Sequence, residues 1–196
     1  MMEHSKVAKL SLSPVQPSSA EGRTKEVLEA GKKSAGFIPN MYAGMANAPA
    51  LLDTYLYGYG LFRNEAGFTP AEQELVFLTI ARVNECTYCV AAHSFIAEAI
   101  SKTPHQAIQA VREDAAIDEP KLQALSTFTR TMVETRGNPT PEELQKFLDA
   151  GYTEKNVLDI ILAIAVKTIS NYANHVFHTE VDPQFASKKW SPKTES

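Results

Sequence analysis

The sequence predicts an all-α protein, and three observations carry that expectation. Helix starts recur in the form Thr-Pro-x-Glu, at Thr69-Pro70-Ala71-Glu72 and at Thr140-Pro141-Glu142-Glu143. In such a start the threonine oxygen accepts a first-turn amide, the glutamate reaches back, and proline sits where no amide proton is needed. Gly36, Gly151 and the run Arg136-Gly137-Asn138-Pro139 supply matching stops. Strand signals are scarce throughout.

Taken in order, residues 1–19 are polar and rich in proline and serine (Pro14, Pro17, Ser18, Ser19), which predicts an extended arm. A helix is expected from about Ala20 to Ala35, then a turn from Gly36 to Asn40 and a short piece around Met41 to Met45. Asn47 is expected to cap a helix carrying Tyr55, Tyr57, Tyr59 and Phe62. Gly58 and Gly60 weaken that helix, so a neighbouring segment should approach closely there. The Thr69 box opens a helix through Leu75, Leu78 and Ala81 to about Val83. A break at Asn84 leads into a cysteine-bearing helix that ends near Ser101. Thr103-Pro104-His105-Gln106 repeats the start signal for a short helix, and further helices are expected over Asp118–Thr135, from Thr140 to Gly151, and from Thr153 to about Asn174. The domain organisation is then one helical domain over 20–178 followed by a polar tail, 179–196, with Phe185 and Trp190. A constant offset aligns Glu74–His93 with Asn156–His175. It raises a repeated helix pair whose second copy lacks the thiols, against chance similarity of two apolar helices.

Composition narrows the function. The 196 residues, 44% hydrophobic and 21% charged, suit one globular domain with its own core. The net charge of −4 comes with mixed signs and no basic stripe, so no nucleic-acid partner is expected. No apolar run approaches the roughly 20 residues of a bilayer span, so no membrane association is expected either. The longest such run, Ile160 to Val166, has the length of a core helix segment. The opening MMEHSKVAKLSLS lacks the apolar stretch of a secretory signal, which points to the cytoplasm. In that reducing compartment a structural disulfide is out of place, whereas a transient redox pair is not.

The two cysteines lie in Glu85-Cys86-Thr87-Tyr88-Cys89-Val90-Ala91-Ala92-His93. Two cysteines placed at random in this chain fall three apart roughly once in a hundred times, so the spacing is informative. On a helix Cys86, Cys89 and His93 share an arc of about 60°, continued by Ile96, Ala97 and Ile100. The thiols should therefore sit at the end of a buried stripe. A helix N-terminus favours thiolate, most strongly at Cys86 if that residue lies in the first turn. Cys89 stands four residues before His93, within reach of an imidazole that could take its proton. If the flanking helices fold back about residue 85, Glu74 comes near the level of His93 and can orient it; Glu85 points elsewhere. The bland alternatives are inert thiols on an apolar face, a core histidine and an ordinary first-turn acid. His175 and His178 form an HxxH pair, but they are too far along the chain from the thiols for a usual structural zinc set, and no metal is expected. The aromatic run Tyr55 to Phe62 suits core or subunit contacts better than a cofactor box, and the GYG at Gly58 follows no strand, so it is no phosphate loop.

With these residues in view, Thr69 to Ala97 resembles the alkylhydroperoxidase D core of the carboxymuconolactone decarboxylase-like superfamily. The shared features are Glu74-Leu75-Val76, then Cys-x-Tyr-Cys, then the histidine four residues on. The pieces GFIPNMY and KTISNYANH (Lys167 to His175) resemble the peroxidase-related branch, so the likeness runs from about residue 20 to 182. It implies a compact multi-helix domain in which Cys89 is the peroxidatic thiol, Cys86 the resolving thiol, and His93 with Glu74 the proton relay. It further implies a hydroperoxide substrate, a dithiol protein or small thiol as reductant, no cofactor, and a homo-oligomer that is trimeric or a multiple. Tyr88 departs from the pattern, standing where the type enzyme has histidine, and a phenol is no neutral-pH base. The expected activity is a thiol peroxidase. A dithiol–disulfide relay protein, or a lyase using His93 and Glu74 alone, are the alternatives.

Overall fold

In the computed structural model, which describes residues 7–192, nine α-helices and two short 3-10 turns account for the regular structure of the described residues. The helices are α1 (Gly22–Ala35), α2 (Asn40–Met45), α3 (Pro49–Glu65), α4 (Pro70–Val83), α5 (Thr87–Ala99), α6 (His105–Glu113), α7 (Pro120–Glu134), α8 (Pro141–Asp149) and α9 (Glu154–Phe177). The 3-10 turns are Pro17–Ser19 and Pro183–Lys188. The ends of the expected arm and tail, residues 1–6 and 193–196, lie outside the described residues.

The capping boxes expected at Thr69 and Thr140 form, and a third, not expected, forms at Thr153. Thr69 with Glu72, Thr140 with Glu143 and Thr153 with Asn156 each exchange both reciprocal hydrogen bonds at the starts of α4, α8 and α9. Two other expected caps do not form. Helix α3 begins at Pro49 behind Ala48, and the Asn47 amide instead donates to Ser13 O and Gly44 O, tying down the arm. Helix α6 begins at His105 behind Pro104, while the Thr103 hydroxyl donates to Ala71 O on α4. Helix α7 starts at Pro120 rather than Asp118, α5 stops at Ala99 rather than Ser101, and α9 continues to Phe177.

Gly36 closes α1 and Gly151 follows α8 at positive φ, but four other helix ends use left-handed residues that are not glycine. Glu85, Asp114, Arg136 and His178 have φ of 54°, 61°, 57° and 51°. Each is followed by an amide that bonds back to the helix: Cys86 N to Ala81 O, Ala115 N to Ala110 O, Gly137 N to Met132 O and Thr179 N to Asn174 O. These are Schellman closures, whose hydrogen bonds offset the cost of a side chain at positive φ. One consequence corrects the duplication expectation. Residues 74–93 span two helices around the Glu85 reversal, whereas 156–175 lie within the single helix α9.

Helix α4 is the axis of the core. Leu75, Val76, Phe77, Leu78, Ile80 and Ala81 are fully buried, enclosed by α5, α6, α7 and α9. Helix α9 has 24 residues and is long and apolar enough to cross a membrane by length and composition. Here it runs through the protein, burying Ile160, Ala163, Val166, Lys167 and Ser170. Helix α3 crosses it closely at Gly58, where an added Cβ would meet Val166 Cγ2 at 2.9 Å. The close neighbour is thus a side chain of α9, and Gly60 has none. Tyr55 and Phe62 are core residues, while Tyr57 points outward. Phe185 of the C-terminal 3-10 turn is buried against Phe37, Tyr88 and Phe95.

Candidate active site

The reversal at Glu85 turns α5 back along α4, and this pairing brings the first two predicted residues together. Glu74 Oε2 lies 2.8 Å from His93 Nδ1, with Glu74 fully buried. Arg63 of α3 bonds the other carboxylate oxygen and also donates to Tyr59 Oη at 2.7 Å. Its guanidinium lies over the rings of Tyr59 and Phe77, which are stacked at 5.4 Å, and Phe77 packs on His93 at 5.1 Å. The imidazole plane is therefore held by an aromatic wall and one carboxylate, an arrangement that fixes its orientation.

Cys86 and Cys89 are free thiols, both buried. Cys86 is the N-cap of α5, one position before the helix, so Cys89 occupies the first turn. This reverses the expectation that Cys86 would be the thiol within the first turn. Nor is Cys86 the more accessible of the two, since they are 1% and 2% exposed.

The largest addition to the sequence picture comes from α9. Lys167, at 0% exposure, places Nζ 2.9 Å from His93 Nε2. One turn on, Ser170 Oγ lies 3.9 Å from Cys89 Sγ. Asn174 Nδ2 points at both sulfurs, 3.3 Å from Cys89 and 3.8 Å from Cys86. Asn171 accepts from Asn84 Nδ2 at 2.9 Å, which pins the α4 end to α9. Tyr88 does not face the relay. Its hydroxyl donates to Asp182 Oδ2 at 2.5 Å, and Asp182 also accepts from Asn40 N at 3.1 Å. Asp182 thereby clasps the C-terminal segment over α5.

The electrostatics separate the two thiols. Burial pushes Cys89 up, but the Cys86 thiol donating to it and the charges of Lys167 and His93 outweigh that, and Cys89 is held well below the ordinary thiol value. Burial and the same thiol–thiol hydrogen bond raise Cys86 well above it. Burial, then the neighbouring Lys167 charge, lowers His93, which favours the neutral imidazole. Burial would raise Glu74, but His93 and Arg63 together hold it below the usual carboxylate range. Burial and Asp182 push the Tyr88 phenol far up, so it is no base. A neutral His93 must donate Nδ1–H to Glu74, since a carboxylate only accepts; Nε2 then accepts from Lys167.

Among the described residues no group of three or more His, Cys, Asp or Glu is placed to hold a metal ion. His178 ends α9 as its left-handed C-cap, and His175 stacks near Tyr172 at 6.3 Å.

Lys167, Arg63, Ser170 and Asn174 were not among the site residues expected from the sequence. A signal for three of them exists in α9. Positions 160, 163, 167, 170 and 174 form its buried stripe, and the last three are polar. Polar side chains on a stripe that should be apolar need partners inside the protein. Arg63 carries no comparable local mark.

Comparison with known proteins agrees with this architecture. Residues 48–130 match the model of the carboxymuconolactone decarboxylase family. That span holds Arg63, Glu74, Cys86, Cys89 and His93 and stops short of Lys167. No curated protein matches the sequence. Among solved structures the fold is similar to an alkylhydroperoxidase AhpD core, a peroxidase-related protein from Ralstonia eutropha, at 22% identity and TM-score 0.77 over 89% of this chain and 93% of that one. It is also similar to a peroxidase-related protein from Silicibacter, at 16% identity and TM-score 0.75 over 93% and 96% of the two chains. The debrominase Bmp8 in complex with 2,3,4-tribromopyrrole shares the fold at 15% identity and TM-score 0.73, over 93% and 97%. The family model thus covers 48–130, fewer than half of the residues, and the solved structures show that the chain shares the fold of the alkylhydroperoxidase core.

Proposed function

We propose that this protein is a thiol-dependent peroxidase working through Cys89 and Cys86 and regenerated by an external dithiol. The observation that carries the reading is a pair of buried free thiols three residues apart, both facing Asn174 Nδ2 at 3.3 and 3.8 Å, on the same helix as a His93 that Glu74 holds at 2.8 Å. A thiolate at Cys89 attacks the distal oxygen of a hydroperoxide; the S–O bond forms, the O–O bond breaks, and the alcohol leaves once protonated. Cys86, kept as a thiol until needed, condenses with the sulfenic acid to a disulfide and water. A dithiol protein or small dithiol then reduces that bridge by exchange. No cofactor enters these steps.

The reading includes a homo-oligomer, trimeric or a multiple, working in the reducing cytoplasm. Of the aromatic run given to core or subunit contacts, Tyr55 and Phe62 lie in the core and Tyr57 is exposed; Phe185 of the tail is also in the core. The exposed apolar residues Leu158, Ile161 and Tyr172 of α9 take their place as the supporting feature.

Peroxide consumption with a panel of dithiols, combined with mass spectrometry of the two cysteines, tests the function. Peroxide should produce an intramolecular Cys86–Cys89 bridge that a dithiol removes; absence of the bridge would sink the proposal. Cys86→Ser should form a dimedone-trappable sulfenic acid at Cys89 and stall after one turnover, while Cys89→Ser should form little. The name of the matching family favours a second reading, a lyase that uses His93 and Glu74 without the thiols. Turnover of a small lactone acid that survives replacement of both cysteines by serine would establish it instead.

A further inference from the structure

We propose that Lys167 is a catalytic residue of this reaction: it takes the proton of the Cys89 thiol and delivers it to the departing oxygen of the hydroperoxide. The inference rests on the thiol-peroxidase reading and adds to it the identity of the acid.

The geometry assigns this role to Lys167 and not to His93. Both imidazole nitrogens are already engaged, Nδ1 with Glu74 at 2.8 Å and Nε2 with Lys167 Nζ at 2.9 Å. For His93 to take the thiol proton it would have to release Lys167 and become an imidazolium beside an ammonium, inside a region with no exposure to water. Lys167 faces no such obstacle. Its ammonium has three donors, of which one serves His93. Lys167 shares one wall of α9 with the residues that touch the thiol: Ser170 Oγ, three residues on, lies 3.9 Å from Cys89 Sγ, and Asn174 Nδ2, a further turn on, 3.3 Å. Its Nζ also lies 5.6 Å from the Phe77 ring centre.

Charge counting supports the same assignment. The groups facing this region are Tyr42 from α2, Tyr55, Tyr59 and Arg63 from α3, Glu74 from α4, Cys86 and His93 at α5, with Tyr88 turned away to Asp182, and Ser170 and Asn174 beside Lys167 on α9. The phenols of Tyr42, Tyr55 and Tyr59 are all raised, chiefly by burial, so they stay neutral. The tyrosine on α5 stays neutral too, and Asp182 beyond it is occupied by that phenol and by Asn40 N. Of the two cations here, the partly exposed Arg63 is matched by Glu74. Only a Cys89 thiolate remains to match Lys167, and a buried charge without a partner is disfavoured.

The proton balance closes over a full cycle. In the resting state the pair is Cys89 thiolate and Lys167 ammonium. Attack gives Cys89 sulfenic acid and an alkoxide, which takes one ammonium proton and leaves as alcohol, so Lys167 becomes the neutral amine. Condensation of the Cys86 thiol with the sulfenic acid releases water with no net proton. Reduction of the disulfide by the external dithiol returns two thiols, and the Cys89 proton passes back to Lys167.

The test uses the full chain with Cys86→Ser, so that only Cys89 titrates as a thiol. Thiolate absorbance against pH, read without peroxide, should give a low midpoint. Lys167→Met should raise it by about one unit or more, about a tenfold loss of thiolate at a fixed pH below the midpoint. His93→Gln should move it less. An unchanged midpoint in Lys167→Met, or a larger shift in His93→Gln, overturns the assignment.

A second measurement isolates the acid. Lys167→Arg keeps the charge but cannot release a proton. It should keep the low midpoint yet slow sulfenic acid formation from tert-butyl hydroperoxide by about 10²-fold, with little effect on peracetic acid, whose carboxylate leaves unaided. Equal slowing of both oxidants would mean a structural role and defeats the proposal. A low midpoint that depends on Lys167 in a protein inert to every peroxide would defeat the peroxidase reading, leaving the ion pair as a property of the thiol.

Discussion

Glu72 and Glu74 stand two residues apart on α4, and their surroundings divide the structural part of the protein from the chemical one. Glu72 accepts from Thr69 N at 2.8 Å and from the Tyr152 hydroxyl at 3.0 Å, with Lys121 at 3.4 Å near the surface. Burial raises its pKa, but the Thr69 and Tyr152 hydrogen bonds and Lys121 outweigh it and hold the group low. Glu74 is also held low, by His93 and Arg63, partners from two other helices. One carboxylate caps its own helix and takes up Tyr152 and Lys121; the other links α3, α4 and α5 through Arg63 and His93. The difference teaches that a depressed carboxylate identifies a site only when its partners are themselves able to react.

The comparison can be broken most severely at Glu74. Glu74→Ala leaves Arg63 and His93 without their shared partner. A loss of about 3–5 kcal/mol in urea denaturation is expected, as for half of a buried ion pair. Cys89 oxidation should slow in the same variant. His93→Ala tests the next member of the chain: sulfenic acid formation at Cys89 should fall because Lys167 loses the group that positions it, but by less than in Lys167→Arg, with a smaller stability change. Thr69→Ala strikes the other carboxylate's partner. It should cost about 1 kcal/mol, a shift of roughly 2–4 °C in Tm, and leave the peroxide reaction unchanged. A slowed reaction there would erase the distinction between the two regions.

The smallest effect is the acid limb of stability. Both groups have folded pKa values below the ordinary 4.5, so each stabilises the fold above that value. The contribution disappears as pH falls through the folded pKa. Glu72→Gln should therefore flatten the decline of stability below about pH 4.5 while leaving the neutral-pH peroxide rate intact. A decline as steep as that of the unaltered protein would show that Glu72 adds nothing to it.

How much of this was legible in the chain depends on the range of the interaction. The capping boxes expected at Thr69 and Thr140 are local, and both formed; Thr153, expected only as a helix start, forms a third with Asn156. The pairing of Glu74 with His93 needed only a reversal near residue 85, which the short break between two helices implied. The reversal itself uses Glu85 at positive φ, where a sequence reading expects glycine. Lys167 lies 74 residues from His93, and only the packing of α9 on α4 and α5 joins them. The dipole argument at Cys86 failed for a related reason. Helix α5 begins one residue later than expected, which puts Cys89 and not Cys86 in its first turn, and the nearby cation comes from a distant helix.

The enclosure of both sulfurs has a consequence for how the protein meets reagents in solution. With Cys86 and Cys89 at 1% and 2% exposure, nothing larger than a few atoms reaches them without local breathing of the packing. Labelling by a bulky disulfide reagent should therefore rise with reagent concentration and then level off, the plateau being the opening frequency of the native protein. Hydrogen peroxide, far smaller, should level off much later. Weakening the Asp182 clasp with Asp182→Asn should lift the plateau for the bulky reagent more than for peroxide. The ratio of the two plateaus would then measure, as a molecular sieve does, how wide the native fluctuations open.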